Sequence, residues 1–204
     1  DGDMGLASLN WQSFWKQVKL LRPKVSQPAV VGTASGSFGS THSILNHQPD
    51  SRVLAAETAI VELMAPLFEV NTWLGYRDVI AGQSVELLEH LKKGGEDCFD
   101  LAWCHYARAN LTGEQLWPPR NHMFRDEAPA YVTSGNSSTH DRFANRSCVV
   151  FYQTPIVHKN KRSLNKGRNS AFRVGGKAVC QFFRVNYHIH WAVRSVYEVF
   201  VAKS

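Results

Sequence analysis

The spacing of the apolar residues changes partway along the chain, and that change limits the folds open to it. Through the first half, large apolar side chains recur three and four positions apart, which places them on one face of an α-helix. From Leu116 onward the chain passes through Trp-Pro-Pro, Asp-Glu-Ala-Pro and Ser-Gly-Asn-Ser-Ser, then enters segments dense in β-branched and aromatic residues. A helical part followed by strands predicts an α+β fold: a helical N-terminal half packed on an antiparallel β-sheet formed by the C-terminal half.

Residues 9–21, with Leu9, Trp11, Phe14, Trp15, Val18, Leu20 and Leu21, predict a short amphipathic helix that stops before Pro23. Residues 26–51 are rich in Ser, Gly, Thr and Pro and read as an exposed loop or extended arm. Val53, Ala56, Ile60, Leu63, Met64, Leu67 and Phe68 fit one helical stripe over 53–68, with Pro66 positioned to kink or end it. Further helices are expected over 84–93, before the stop Gly94-Gly95, and over 96–109. Strands are expected at 148–152, 179–190 and 193–201; alternation in the second places Phe182 and Phe183 on opposite faces.

At 204 residues the chain is long enough for one well-buried core, so a single domain over 1–204 is expected. It divides into an N-terminal helix and Ser/Gly-rich arm (1–52), a helical part (53–110) and a basic, β-rich part (111–204). A hydrophobic content of 44% excludes a disordered tail, and four cysteines are too few for a disulfide scaffold. No run of eighteen apolar residues occurs, so no membrane span is expected, and the start Asp1-Gly2-Asp3-Met4 lacks the features of a signal peptide.

Charge is divided unevenly. Residues 1–100 hold eight Lys or Arg against twelve Asp or Glu, a net of −4, whereas 101–204 hold fifteen against five, a net of +10. The extreme is 158–177, where Lys159, Lys161, Arg162, Lys166, Arg168, Arg173 and Lys177 stand without an acid among them. A run of this kind binds phosphates with little regard to sequence and with strong salt dependence, or it is a solvated loop that opposes aggregation. Arg184, Arg194, Phe182 and His188 would extend a phosphate-binding surface onto the sheet, aromatic rings there stacking on unpaired bases.

Catalytic and metal signals are weaker. His188 and His190 share one face of a predicted strand and would need a third metal ligand from His105, His122, His140, His158 or Asp141. In a small nuclease or hydrolase, His188 would act as general base, with His190, His140 and Asp141 as the other candidates. The alternative is hydrogen-bonded or half-exposed histidines with no chemistry. Gly32-Thr-Ala-Ser-Gly-Ser-Phe-Gly39 lacks the lysine of a phosphate loop, and no cofactor is expected. Cys98, Cys104, Cys148 and Cys180 allow two disulfides in three pairings, or four reduced thiols buried as small hydrophobes, the reading favoured by their spacing. Three N-glycosylation sequons occur, at Asn110, Asn136 and Asn145.

The segment Gln181-Phe-Phe-Arg-Val-Asn-Tyr-His188 resembles the late strand of the coat proteins of geminiviruses and related small single-stranded DNA viruses, where a Phe-Phe-Arg-Val-Asn-His-His run occurs. Met123-Phe124 and Asp141-Arg-Phe143 stand at a spacing similar to that family's Met-Phe and Asp-Arg-Phe elements. The resemblance covers the C-terminal third. It implies a jelly-roll-like sheet, a shell protein that packages single-stranded DNA and assembles with its own copies, and a place in the virion or the host nucleus. Arg142, Arg184 and the basic stretch 159–168 would then touch nucleic acid. The expectation is a self-associating, nucleic-acid-binding structural protein; a secreted or injected small nuclease or hydrolase, metal- or His-dependent, and a carbohydrate- or protein-binding module are the alternatives.

Overall fold

The chain is described by a computed structural model at residues 5–32, 52–58, 61, 65–83, 85, 88–89, 99–112, 130–133, 145–158, 181 and 196–201. A 3-10 turn, Leu6–Ser8, leads into helix α1, Trp11–Leu21. Strands β1 (Val25–Gly32), β2 (Val53–Thr58) and β3 (Leu67–Phe68) precede helices α2 (Val70–Gln83) and α3 (Phe99–Thr112). Strands β4 (Ala130–Thr133), β5 (Cys148–His158) and β6 (Val196–Val201) follow. The fold is α+β.

Helix α1 starts where Asn10 caps it, its side-chain oxygen accepting from the Ser13 N–H at 3.0 Å. It ends because Pro23 disfavours further helix, and Arg22 takes the left-handed conformation at φ 43° while its N–H donates to the Val18 carbonyl. Helix α2 is capped by Glu69, whose carboxylate accepts from both the N–H and the hydroxyl of Thr72. Those bonds, Thr72 first, hold the Glu69 pKa below the ordinary carboxylate value, and Lys24 at 3.4 Å adds to the effect.

The six strands form one sheet in the order β3-β1-β5-β2-β6-β4. Pairs β1–β5 and β4–β6 are parallel; β1–β3, β2–β5 and β2–β6 are antiparallel. Cys148 and Phe151 lie three apart on β5 and therefore face opposite sides of the sheet. Phe151 meets Phe14 of α1 edge-on, 5.3 Å between centroids, whereas Cys148 is disulfide-bonded to Cys104 of α3. Helix α1 thus covers one face and α3 the other, with α2 beside α3 through Tyr76 and Tyr106. The α1 side holds a core of Leu9, Phe14, Leu21, Val30, Ala55, Val149, Phe151, Ile156 and Phe200. Burying the Leu, Val, Ile and Phe side chains of this core stabilises by about 1.5–3 kcal/mol each.

Several expectations are corrected. The sheet is mixed rather than antiparallel, and half of its strands come from residues 25–68 rather than from the C-terminal half. Val53–Thr58 is a strand and not the start of a helix. Flanked by β5 and β6, β2 buries both Ala55 and Ala56, so it lacks the alternation that marks a half-exposed strand. Val25–Gly32, expected within or beside an exposed arm, is a buried inner strand, its polar Ser26 and Gln27 enclosed. Cys104 and Cys148 are oxidised, not reduced, and among the described residues no cysteine is free. Of the expected strand 179–190 only Gln181 is described, and it is helical. Helices were expected close to where α1 and α3 stand. Val85, Leu88 and Glu89 of the expected helix 84–93 are helical, and its remaining residues lie outside the described set.

Candidate nucleic-acid interface

Strand directions sort the chain's connections between the two ends of the sheet. Parallel β1 and β5 run together to their last pair, Gly32 beside His158. Antiparallel β2 begins at Val53 at the same end, opposite Val201, the last residue of β6, which in turn pairs with Thr133, the last of β4. Four strands therefore finish at one end and a fifth starts there. Ligands of open sheets with parallel strands bind beyond the carboxyl ends of those strands.

Helix α1 is oriented by its two attachments. Gly5 donates its N–H to the Val157 carbonyl at 2.7 Å, next to the end of β5. Beyond the helix, Lys24 and Val25 donate to the carbonyls of Arg146 and Ser147, ahead of the start of β5. The amino end of α1 therefore stands where Gly32 and His158 finish, and Lys159 follows His158 directly in the chain.

The inward side of α1 is fixed by Phe14, Gln17 and Leu21, all buried. Its outward side carries Gln12, Lys16 and Lys19 together with Trp11, 49% exposed, and Trp15, 43% exposed. Trp11 and Trp15 are four apart and so neighbours along one side of the helix. Each ring leans on Phe14, at 6.1 and 6.0 Å between centroids, which fixes its position without covering it. Among the described residues neither Lys16 nor Lys19 forms an ion pair. The chain contains no acidic residue between Asp3 and Asp50, so this face is positive without opposition from its own segment. Two half-exposed indoles beside two lysines combine the groups that stack on bases with those that pair with phosphates.

At the opposite end of the sheet a charged cluster is turned inward. Buried Glu57 of β2 accepts from the Ser147 N–H at 2.9 Å and from the Ser147 hydroxyl at 2.6 Å through one oxygen. Its other oxygen pairs with Arg146 at 3.2 Å, and the Arg146 guanidinium lies over the Phe200 ring at 5.1 Å. This network joins β2, the approach to β5 and β6, and its groups are consumed in doing so.

Lys159, Lys161, Arg162, Lys166, Arg168, Arg173, Lys177, Arg184, Arg142, His140, Asp141, His188 and His190 all lie outside the described residues. Of the further metal-ligand candidates, His105 is half-buried in α3 and His158 ends β5. Among the described residues no cluster of His, Cys, Asp or Glu has a metal site's arrangement, and no helix is long and apolar enough to cross a membrane. The α1 face was not singled out from sequence, although the signal was present. The indoles stand four apart on α1, beside rather than within the buried stripe of Phe14 and Leu21, within a window free of acids. No family model, curated protein or solved structure matches the chain.

Proposed function

We propose that the chain is a nucleic-acid-binding structural protein that self-associates, taking single-stranded nucleic acid along one end of its sheet. The observation that carries this reading is the shared position of the α1 amino end and the carboxyl end of β5. It brings the exposed Trp11 and Trp15, in the first half of α1, toward the end of the sheet where His158 precedes the cationic stretch 159–177 in the chain. Lys16 and Lys19 continue the same exposed side along the helix. Phosphates would pair with the lysines and arginines and unpaired bases would stack on the indoles. Self-association is supported by α2, which turns Val70, Trp73 and Leu74 to solvent while its inward side holds Thr72 and Tyr76. The support is electrostatic and aromatic rather than architectural. Parallel pairs β1–β5 and β4–β6 are foreign to the antiparallel sheets of a jelly roll, so the coat-protein resemblance adds a partner class and no fold.

Binding of single-stranded DNA and RNA oligonucleotides, followed by fluorescence anisotropy across a salt series, tests the reading. Affinity should fall steeply as salt rises. An absence of binding at low salt, or an affinity indifferent to salt, overturns it. Light scattering on the same protein tests assembly.

A secreted nuclease or hydrolase is the second reading, and the Cys104–Cys148 disulfide favours it, since such bonds persist in oxidising compartments. Virion surfaces share that property, so cleavage decides. Single-stranded nucleic acid incubated with the protein and magnesium is degraded under the second reading and stays intact under the first.

A further inference from the structure

We infer that Asn110 carries an N-linked glycan. Of the three sequons, Asn136 lies outside the described residues, and the other two occupy different kinds of position. Asn145 sits in the left-handed backbone region at φ 61°, a conformation that Asn tolerates better than most residues. Two positions on, Ser147 donates its hydroxyl to buried Glu57. Both polar ends of that sequon therefore have a structural task in the folded chain. Asn110 has none. It is exposed in the last turn of α3, and Leu111-Thr112 complete the sequon at the helix end.

A second observation places the sequon in the right chemistry. Asn110 is six residues beyond Cys104, whose disulfide to Cys148 is buried and joins α3 to β5. A buried structural disulfide implies folding in an oxidising compartment, the secretory lumen in a eukaryotic cell, where oligosaccharide transfer to Asn takes place. In that reaction the Asn110 amide nitrogen displaces the leaving group from the first sugar carbon of a lipid-pyrophosphate-linked oligosaccharide. The nitrogen–carbon bond forms, the carbon–oxygen bond to phosphate breaks with its electron pair going to the lipid pyrophosphate, and the amide gives up one proton. The product's glycan projects from the surface at Asn110, the side chain being exposed already.

The test is expression of the 204-residue chain in the secretory lumen of a eukaryotic cell. Total protein is treated with the amidase that removes Asn-linked glycans and converts the carrier Asn to Asp. Electrophoretic mobility should increase on treatment, and peptide mass spectrometry should find Asp at position 110. In Asn110→Gln the mobility change from that site is lost, whereas Asn145→Gly, which keeps the left-handed turn, retains it. Protein unshifted by the enzyme, or conversion at 136 or 145 with position 110 left as Asn, overturns the inference.

Discussion

Cys104 of α3 and Cys148 of β5 are covalently joined, with α-carbons 5.5 Å apart, so one bond ties a covering helix to the first residue of an inner strand. Both cysteines are buried, and the enclosed stretch spans a sequence separation of 44 residues. Loop-closure entropy for that length corresponds to about 4 kcal/mol, and native disulfides in practice contribute roughly 2–5 kcal/mol. A Cys104→Ala, Cys148→Ala variant should lose stability in that range by urea denaturation. A loss below about 0.5 kcal/mol would show that the bond is incidental to the fold.

Glu57 is the acceptor on which the start of β5 depends. Glu57→Ala leaves the Ser147 donors and the Arg146 guanidinium enclosed without their carboxylate, and breaking a buried pair from one side costs about 3–5 kcal/mol. Ser147→Ala removes one hydroxyl bond and should cost less, about 1.5–3 kcal/mol. Equal losses from both would mean that Glu57 contributes no more than that one bond.

Gly75 of α2 faces the Tyr106 hydroxyl of α3 so closely that a β-carbon there would overlap it. Gly75→Ala improves helix propensity by about 1 kcal/mol, but overpacking opposes it by about 1–3 kcal/mol. The second effect should win, because Tyr106 is buried and ring-packed against Tyr76 at 5.6 Å. In a Tyr106→Phe background the hydroxyl is gone and the same substitution should become neutral or stabilising. A double-mutant cycle reads the difference.

Burial of Tyr152 raises its pKa from 10.0 to about 12. A phenol whose folded-state pKa is raised adds stability that is fully present below the unfolded value and is lost as pH climbs from about 10 to about 12. Each tenfold difference in proton affinity between the folded and unfolded chain corresponds to about 1.4 kcal/mol. Tyr152→Phe should therefore flatten the fall in stability over that range while leaving the acid side unchanged. A fall equally steep in both proteins would place the responsible group elsewhere.

Trp11 and Trp15 should contribute to single-strand binding independently of the cationic stretch. Base–aromatic stacking is worth about 1–3 kcal/mol per base, so Trp11→Ala with Trp15→Ala should weaken binding at least about tenfold with the salt slope preserved. Lys16→Ala with Lys19→Ala should instead lower that slope by about 1.4, the release expected from two phosphate contacts on a single strand. If neither pair alters binding that is otherwise present, the α1 face plays no part in it.

The sequence exposed some elements and concealed others for identifiable reasons. Asn10, the Phe14–Leu21 stripe and Pro23 mark the start, inner face and end of α1 locally, and all three act as their chemistry dictates. Val53–Thr58 is ambiguous because both of its faces are covered; a run of four apolar residues, Val53 to Ala56, fits a helix as well as a strand. β1 was concealed by Ser26, Gln27 and Pro28, a loop-like composition made acceptable by a bulge in its pairing with β5 after Pro28. The disulfide has no local signature, since its partners meet only after β5 has joined the sheet. The α1 side of the proposed interface was written in the spacing of two indoles, but its alignment with the end of β5 depends on strand direction.

The position of β5 between β1 and β2 also sets a schedule for synthesis. β2 meets only β5 and β6, and Cys148 opens the first of these strands to be made. From Gly32 to Cys148 is 148 − 32 = 116 residues, which a ribosome adding about 5–20 residues per second needs roughly 6–23 s to deliver. For that interval the inward side chains of β1, Val25, Ala29 and Val30 among them, belong to a strand without its central partner. For the later 148 − 58 = 90 residues from Thr58 to Cys148 the same holds of Ala55 and Ala56 in β2. The Cys104–Cys148 bond closes only once the central strand arrives, so the crosslink locks β5 in place rather than guiding the earlier strands together.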